Sequence, residues 1–264
     1  MKRLLILILA FTMLSGAALA EQADYASMGT DELVSVREGL LETLGAVNAE
    51  LGRRARDEAT AVTDGDSLGK IRELFPDEVI ACYVRDRLNK FSIEQTVTQA
   101  ELDTITILGP KRDYGSVYDL TGVSHLRHLK VITFYTNNGW CARYYGTELP
   151  DELYTLTELE QLSIAATSSI NLESISDKIG NLTKLKYLHL EHTKITSLPD
   201  TLCQLTQLES LIVNDTNLES LPENIGNLKN LKRLNISNTK ITSLPDSIWN
   251  LSLDSLDMSG TGIK

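Results

Sequence analysis

Three segments of this 264-residue chain superimpose at a constant offset of 23 residues. Leu182-x-x-Leu185-x-x-Leu188-x-Leu190 is followed by Leu205-x-x-Leu208-x-x-Leu211-x-Val213 and then by Leu228-x-x-Leu231-x-x-Leu234-x-Ile236. The register persists downstream. Thr193, Thr216 and Thr239 agree, as do Ile195, Leu218 and Ile241, and the pairs Leu198-Pro199, Leu221-Pro222 and Leu244-Pro245. A period of this length means a supersecondary unit that repeats and cannot bury its apolar side alone.

Weaker copies extend the pattern both ways. Leu156-x-x-Leu159-x-x-Leu162-x-Ile164 and Leu126-x-x-Leu129-x-x-Ile132-x-Phe134 precede the strong units, and Leu253-x-x-Leu256-x-Met258 follows them. Leu102-x-x-Ile105-x-Ile107 reads as the opening strand, with Thr104, Thr106 and Leu108 facing outward. In a short strand the side chains alternate sides. Leu188 and Leu190 therefore point one way, and Tyr187, His189 and Glu191 the other. The inward set is covered only by the coils above and below, so a stack buries one continuous core. Thr193 and its equivalents sit where the chain leaves the strand. A hydroxyl there satisfies turn backbone groups that burial would otherwise strand. The Leu-Pro segment returns along the opposite face. Proline disfavours continued strand pairing, so extended or 3₁₀ backbone is expected there.

This pattern resembles the leucine-rich repeat family, with Thr mostly standing where that family has Asn. The expected fold is a curved α/β solenoid with a parallel sheet on its concave side. An open solenoid end needs a cap. Residues 71–90 read as one helical stretch beginning at Ile71, with Val79, Tyr83, Val84 and Leu88 on one face. Thr98 and Glu101 then form a T-x-x-E capping box before the first strand. The run Phe75-Pro76-Asp77, a helix, and Val97-Thr98-Gln99-Ala100-x-Leu102-x-x-Ile105 resembles the N-terminal cap of bacterial internalin-type proteins. With the repeats, the resemblance spans about residues 71–264. It implies a secreted or surface-bound bacterial protein that recognises another protein on its concave face. The 23-residue units with Leu-Pro are slightly longer than internalin repeats, and no immunoglobulin-like module or sorting signal follows them.

The remaining chain divides by composition. Residues 1–20 read as a signal peptide, with basic Lys2 and Arg3, an apolar run from Leu4 to Leu14, and Ala18-Leu19-Ala20 as the small-x-small cleavage pattern. That run is too short to span a bilayer comfortably, so no membrane span is expected. Secretion, or export to a periplasm, follows. Residues 21–66 form an N-terminal helical segment and linker. The helix over 31–58 has an apolar stripe of Leu33, Val36, Leu40, Leu44, Val47 and Leu51. It either packs on its own cap or pairs with a partner, a second copy included. Residues 67–100 are the helical cap and 101–264 the repeat domain. The last coil lacks an obvious cap, which makes end-to-end dimerisation a second route to a homodimer. Cys82, Cys141 and Cys203 are odd in number; they make one bridge and a free thiol, or three isolated thiols.

Lys and Arg number 25 against 36 Asp and Glu, a net charge of -11. Such a chain repels phosphate backbones, so nucleic acid is not an expected partner. No nucleotide loop, zinc-protease motif, nucleophile elbow or kinase signature is present. The chain reads as a non-enzyme that needs neither metal nor cofactor. His125-x-x-His128 lies at solvated repeat positions, and His189, Glu191 and His192 do not share one face, so both make poor metal sites.

Two groups are candidates for ligand binding. On the concave face most outward positions are small and polar; Tyr135, Tyr187, His189, Glu191, Ile212 and Arg233 are larger or charged. Aromatic and Arg side chains are the usual anchors of protein interfaces. The insertion over 137–146 concentrates Trp140, Arg143, Tyr144 and Tyr145 in a departure from the repeat. It either folds back over the neighbouring coil or acts as a recognition loop. The leading function is a secreted, non-catalytic module binding an extracellular or cell-surface protein on the concave face. A glycan or cell-wall module using the insertion aromatics is the alternative, and a metal-dependent hydrolase built on His189 and nearby carboxylates a third reading.

Overall fold

The computed structural model describes residues 66–109, 115–134, 144–164 and 171–264. The export segment, the helix expected over 31–58, and Tyr135, Trp140, Cys141 and Arg143 lie outside the described residues.

The cap begins with strand β1 (Ser67–Lys70), which pairs antiparallel with β2 (Thr96–Thr98). Between them the single helix expected over 71–90 is two helices, α1 (Ile71–Leu74) and α2 (Glu78–Arg87). The break falls at Phe75-Pro76. A residue before proline is sterically pushed out of the helical region, and Phe75 is extended at φ -126°, ψ 90°. Asp77 then restarts the chain, its carboxylate accepting from the backbone N–H groups of Val79 (3.0 Å) and Ile80 (3.2 Å). Val79, Tyr83 and Val84 are buried as the spacing predicts, with Leu88 packed partly against them. The capping box is present in both directions. The Glu101 N–H donates to Thr98 Oγ1 (3.2 Å), and the Thr98 N–H donates to Glu101 Oε2 (2.9 Å). It opens the single-turn helix α3 (Gln99–Leu102).

Seven strands follow in one parallel sheet, in chain order: β3 (Ile107–Leu108), β4 (Val131–Thr133), β5 (Gln161–Ser163), β6 (Tyr187–His189), β7 (Ser210–Ile212), β8 (Arg233–Asn235) and β9 (Ser255–Asp257). Cross-strand partners match the repeat register, with Leu188 opposite Leu211 and Leu211 opposite Leu234. These leucines and those at the other repeat positions form one continuous buried spine that runs into the cap. This is a leucine-rich repeat solenoid.

The opening coil corrects the sequence register. Ile107 pairs with Val131 and Leu108 with Ile132. Leu108 is fully buried while Ile107 is exposed, the reverse of the expected assignment. The true match is Leu102-x-x-Ile105-x-x-Leu108 against Leu126-x-x-Leu129-x-x-Ile132, and Thr104 and Thr106 precede the strand.

Two devices turn the chain out of β6, β7 and β8. The Thr193, Thr216 and Thr239 hydroxyls each donate to the carbonyl three residues back, all at 2.8 Å. The residue before each, His192, Asp215 or Asn238, is left-handed at φ 58°, 55° and 54°. The return face is 3₁₀, as in Asp177–Asn181, Asp200–Gln204 and Asp246–Asn250. In the last coil Leu256, Met258 and Trp249 are exposed. Among the described residues no helix is long and apolar enough to cross a membrane.

Candidate functional site: the outer face of the sheet

Every second residue of the strands stands on the outer face of the sheet. Its first column includes Tyr187, Ser210 and Arg233, and its second His189, Ile212 and Asn235, each aligned by the parallel register. Tyr187 is half-buried, and its hydroxyl donates to Glu209 (3.1 Å). The His189 ring reaches across to the next strand, its Nε2 lying 3.2 Å from Ser210 Oγ. Ser210 is fully buried although it lies on the outer face. Longer neighbours therefore cover it, and it forms a floor between Tyr187 and Arg233. Arg233 is exposed. Burial first, and then the nearby Arg233 cation, hold the His189 pKa below its ordinary value. The ring is therefore neutral near pH 7.

The next column along the strands is acidic and amide-rich. Burial, with help from Asp215, raises the Glu191 pKa above the usual carboxylate range. Asp215 accepts from Asn214 Nδ2 (2.6 Å) and Asn238 Nδ2 (3.0 Å), and His192 Nδ1 lies 4.0 Å away. Ile212 is half-exposed between these groups. Ile107, which the sequence register misplaced, adds an apolar side chain to the same face, on the first strand beside Val131.

One edge of this face carries a column the repeat alignment contains but hydrophobic patterning does not reveal. Lys130, Glu160, Lys186, Glu209, Lys232 and Asp254 each precede a strand and alternate in sign. Lys186 Nζ lies 2.8 Å from Glu160 Oε2. The Lys186 pKa is raised by Glu160 first and by Glu209 further away. Strands about 4.8 Å apart put each charge beside opposite ones.

The aromatic insertion divides. Tyr144 is not a surface group: it is 1% exposed, lies tilted against Phe134, and donates its hydroxyl to the Glu148 carbonyl (2.6 Å). Burial pushes its pKa up. An isolated parallel bridge to Val117 fixes the backbone there. Tyr145 stacks on the exposed Tyr118 with ring centres 5.8 Å apart.

The other sequence candidates are dispersed. His125 packs edge-on against Phe75, whereas His128 Nδ1 lies 3.2 Å from Glu158. Cys82 and Cys203 are free thiols. Burial pushes the Cys203 thiol up to about 11, with Asp200 adding to the shift. Such a thiol is almost wholly protonated at neutral pH and is a poor nucleophile. Among the described residues no three His, Cys, Asp or Glu side chains are grouped to hold a metal ion.

Two residues fix the cap against the repeats: Asp77, which the sequence shows only as part of the cap motif, and Gly122, which it does not single out. Asp77 uses its second oxygen to accept from the N–H groups of Tyr118 (2.8 Å) and Asp119 (3.2 Å). Gly122, at φ 90°, packs so closely that a Cβ would lie 1.8 Å from the Leu74 carbonyl oxygen.

Comparison with known proteins agrees with this architecture. Residues 171–262 match the family described as leucine-rich repeat region, and residues 55–103 match bacterial adhesion/invasion protein N terminal. Among solved structures, the functional domain of InlJ from Listeria monocytogenes is 21% identical, with TM-score 0.52, over 74% of this chain and 44% of that one. An internalin, inlF, from the same organism is 23% identical, with TM-score 0.41, over 73% of this chain and 65% of that one. A leucine-rich repeat protein of Leptospira interrogans is 26% identical, with TM-score 0.41, over 62% and 45%. No curated protein matches the chain. The likeness to InlJ is one of fold.

Proposed function

The chain is an internalin-like leucine-rich repeat protein, and from that premise we propose that it is a secreted, non-catalytic module that binds an extracellular or cell-surface protein on the outer face of its sheet. The observation that carries the reading is the group of Tyr187, His189, Ile212 and Arg233 on adjacent strands of one parallel sheet. Side chains already held by hydrogen bonds lose less freedom on association, and Tyr and Arg are the residue types that anchor interfaces. Tyr187 is already oriented by Glu209 and His189 by Ser210. Both are thus pre-positioned before a partner arrives.

The test is capture of surface and extracellular proteins by the full chain and by a Tyr187→Ala/Arg233→Ala double variant. A specific partner held by the wild type and released by the double variant is the expected result. Capture that is the same for both would remove the outer face from the account.

A glycan reading has less support. Of its aromatic residues, Tyr144 is in the core. Tyr145, with its stacking partner Tyr118, is what remains among the described residues. A glycan array on which Tyr118→Ala abolishes a wild-type signal would revive that reading.

A further inference from the structure

The outer face presents a cation that the described residues do not neutralise. In a protein of net charge -11, Arg233 is exposed, and no carboxylate among the described residues is ion-paired with it. Its neighbours in the same column are Ser210 and Ser255, both short and uncharged. Ser210 is buried with its hydroxyl engaged by His189. Ile212 stands beside this group on β7, in register with Asn235. The arrangement is a lone guanidinium at the edge of a half-apolar patch.

We propose that Arg233 is the docking point for one side-chain carboxylate of the protein partner, an Asp or Glu set next to an apolar residue that lies on Ile212. The inference rests on the proposed function and names the chemistry of its partner. A guanidinium binds a carboxylate through two parallel N–H bonds, which fixes orientation as well as charge. Extended polyanions are disfavoured, because Glu191 with nearby Asp215, and Asp257 in register with Asn235, repel them. A single carboxylate beside an apolar side chain meets less of that repulsion than a polyanion does. The neutral state of His189 leaves the anion's place at Arg233 uncontested by a second cation, and Tyr187, tied to Glu209, is directed elsewhere.

The test is selection of a displayed library of linear peptides on the full chain, followed by synthesis of the enriched sequences with amidated C-termini. The expected enrichment is Asp or Glu adjacent to Leu, Ile, Val or Phe. An enriched peptide should bind Arg233→Ala about thirtyfold more weakly than wild type, the scale of an interface anchor, and Arg233→Lys with an intermediate loss. Replacing its acid by the matching amide should weaken binding to wild type and have no further effect on Arg233→Ala. Thermal melts of the variants establish that they fold. Peptides that bind Arg233→Ala as tightly as wild type, or that carry no acid, overturn the inference. If such peptides are nevertheless lost on Tyr187→Ala, the outer-face reading stands and only the carboxylate is wrong. If neither variant changes binding, both readings fall. Affinity that disappears on amidation of the peptide's C-terminus also overturns it, since the carboxylate would then be terminal.

Discussion

Asp77 joins the cap to the first coil through Tyr118: one carboxylate oxygen caps helix α2, and the other accepts the Tyr118 N–H at 2.8 Å. A single side chain thus satisfies four backbone donors, those of Val79, Ile80, Tyr118 and Asp119. Helix α2 buries Val79, Ile80 and Val84, so its placement decides whether the first coil is covered. Replacing Asp77 by Ala leaves all four donors without this acceptor. The expected loss is about 2–3 kcal/mol, a helix cap plus further charge-assisted bonds. Urea unfolding followed by circular dichroism measures it. Asp77→Asn, which keeps one carbonyl acceptor, should lose less, and equal midpoints for the two variants would contradict the dual role.

The repeat was legible because it is periodic. The spine leucines, the turn threonines and the 3₁₀ return follow from alternation, burial and proline chemistry at fixed intervals. What escaped is where periodicity is broken or chemically varied. The first coil was misregistered because Ile107, an exposed β-branched residue, sits beside the true spine position Leu108. The helix break needed the local sterics of Phe75-Pro76, which an apolar stripe does not report. The left-handed turn position is His192 in one coil, Asp215 and Asn238 in the next two, and Gly260 in the last. All four residue types are enriched at positive φ, but because the type changes from coil to coil the position does not stand out in the repeat alignment. The outer-face residues were legible as a set from strand alternation. The burial of Ser210 was not, because it depends on the size of its neighbours on other coils.

Spine leucines should differ in cost by their place in the stack. Leu211 lies between Leu188 and Leu234 and is fully buried, whereas Leu256 on the last strand is 38% exposed. Truncating Leu211 to Ala leaves a cavity between two coils and should cost about 2–5 kcal/mol. Leu256→Ala removes contacts on one side only and should cost well under half of that. Parallel denaturant titrations compare them directly. Equal costs would mean that the last coil is covered in solution.

The alternating charge column should report on salt. Lys186 lies between Glu160 and Glu209 in that column, and Lys186→Glu sets three acids side by side. These groups are solvated, so the destabilisation is modest and screened. The melting temperature of Lys186→Glu should fall at low ionic strength. It should recover most of that loss at about 1 M salt, where the Debye length is about 3 Å. A loss that salt does not reduce would assign Lys186 a packing role instead.

Two outer-face groups should pull stability in opposite directions on acidification. The His189 pKa is lowered in the folded protein by burial and then by Arg233. Between that lowered value and the unfolded one, near 6.5, the unfolded chain binds more protons. His189 therefore withdraws stability as pH falls through that window. The Glu191 pKa is raised by burial and then by Asp215, so the folded protein binds the extra proton. Its contribution improves as pH falls through the raised value and levels off below the unfolded one. His189→Gln should therefore flatten the loss of stability just below pH 6.5, while Glu191→Gln should raise stability at pH 7 and remove the compensating gain at lower pH. Chemical denaturation across pH 4 to 8 on wild type and both variants measures the three curves. A His189→Gln curve parallel to wild type through pH 6 would show that the ring is not held neutral by its burial and Arg233.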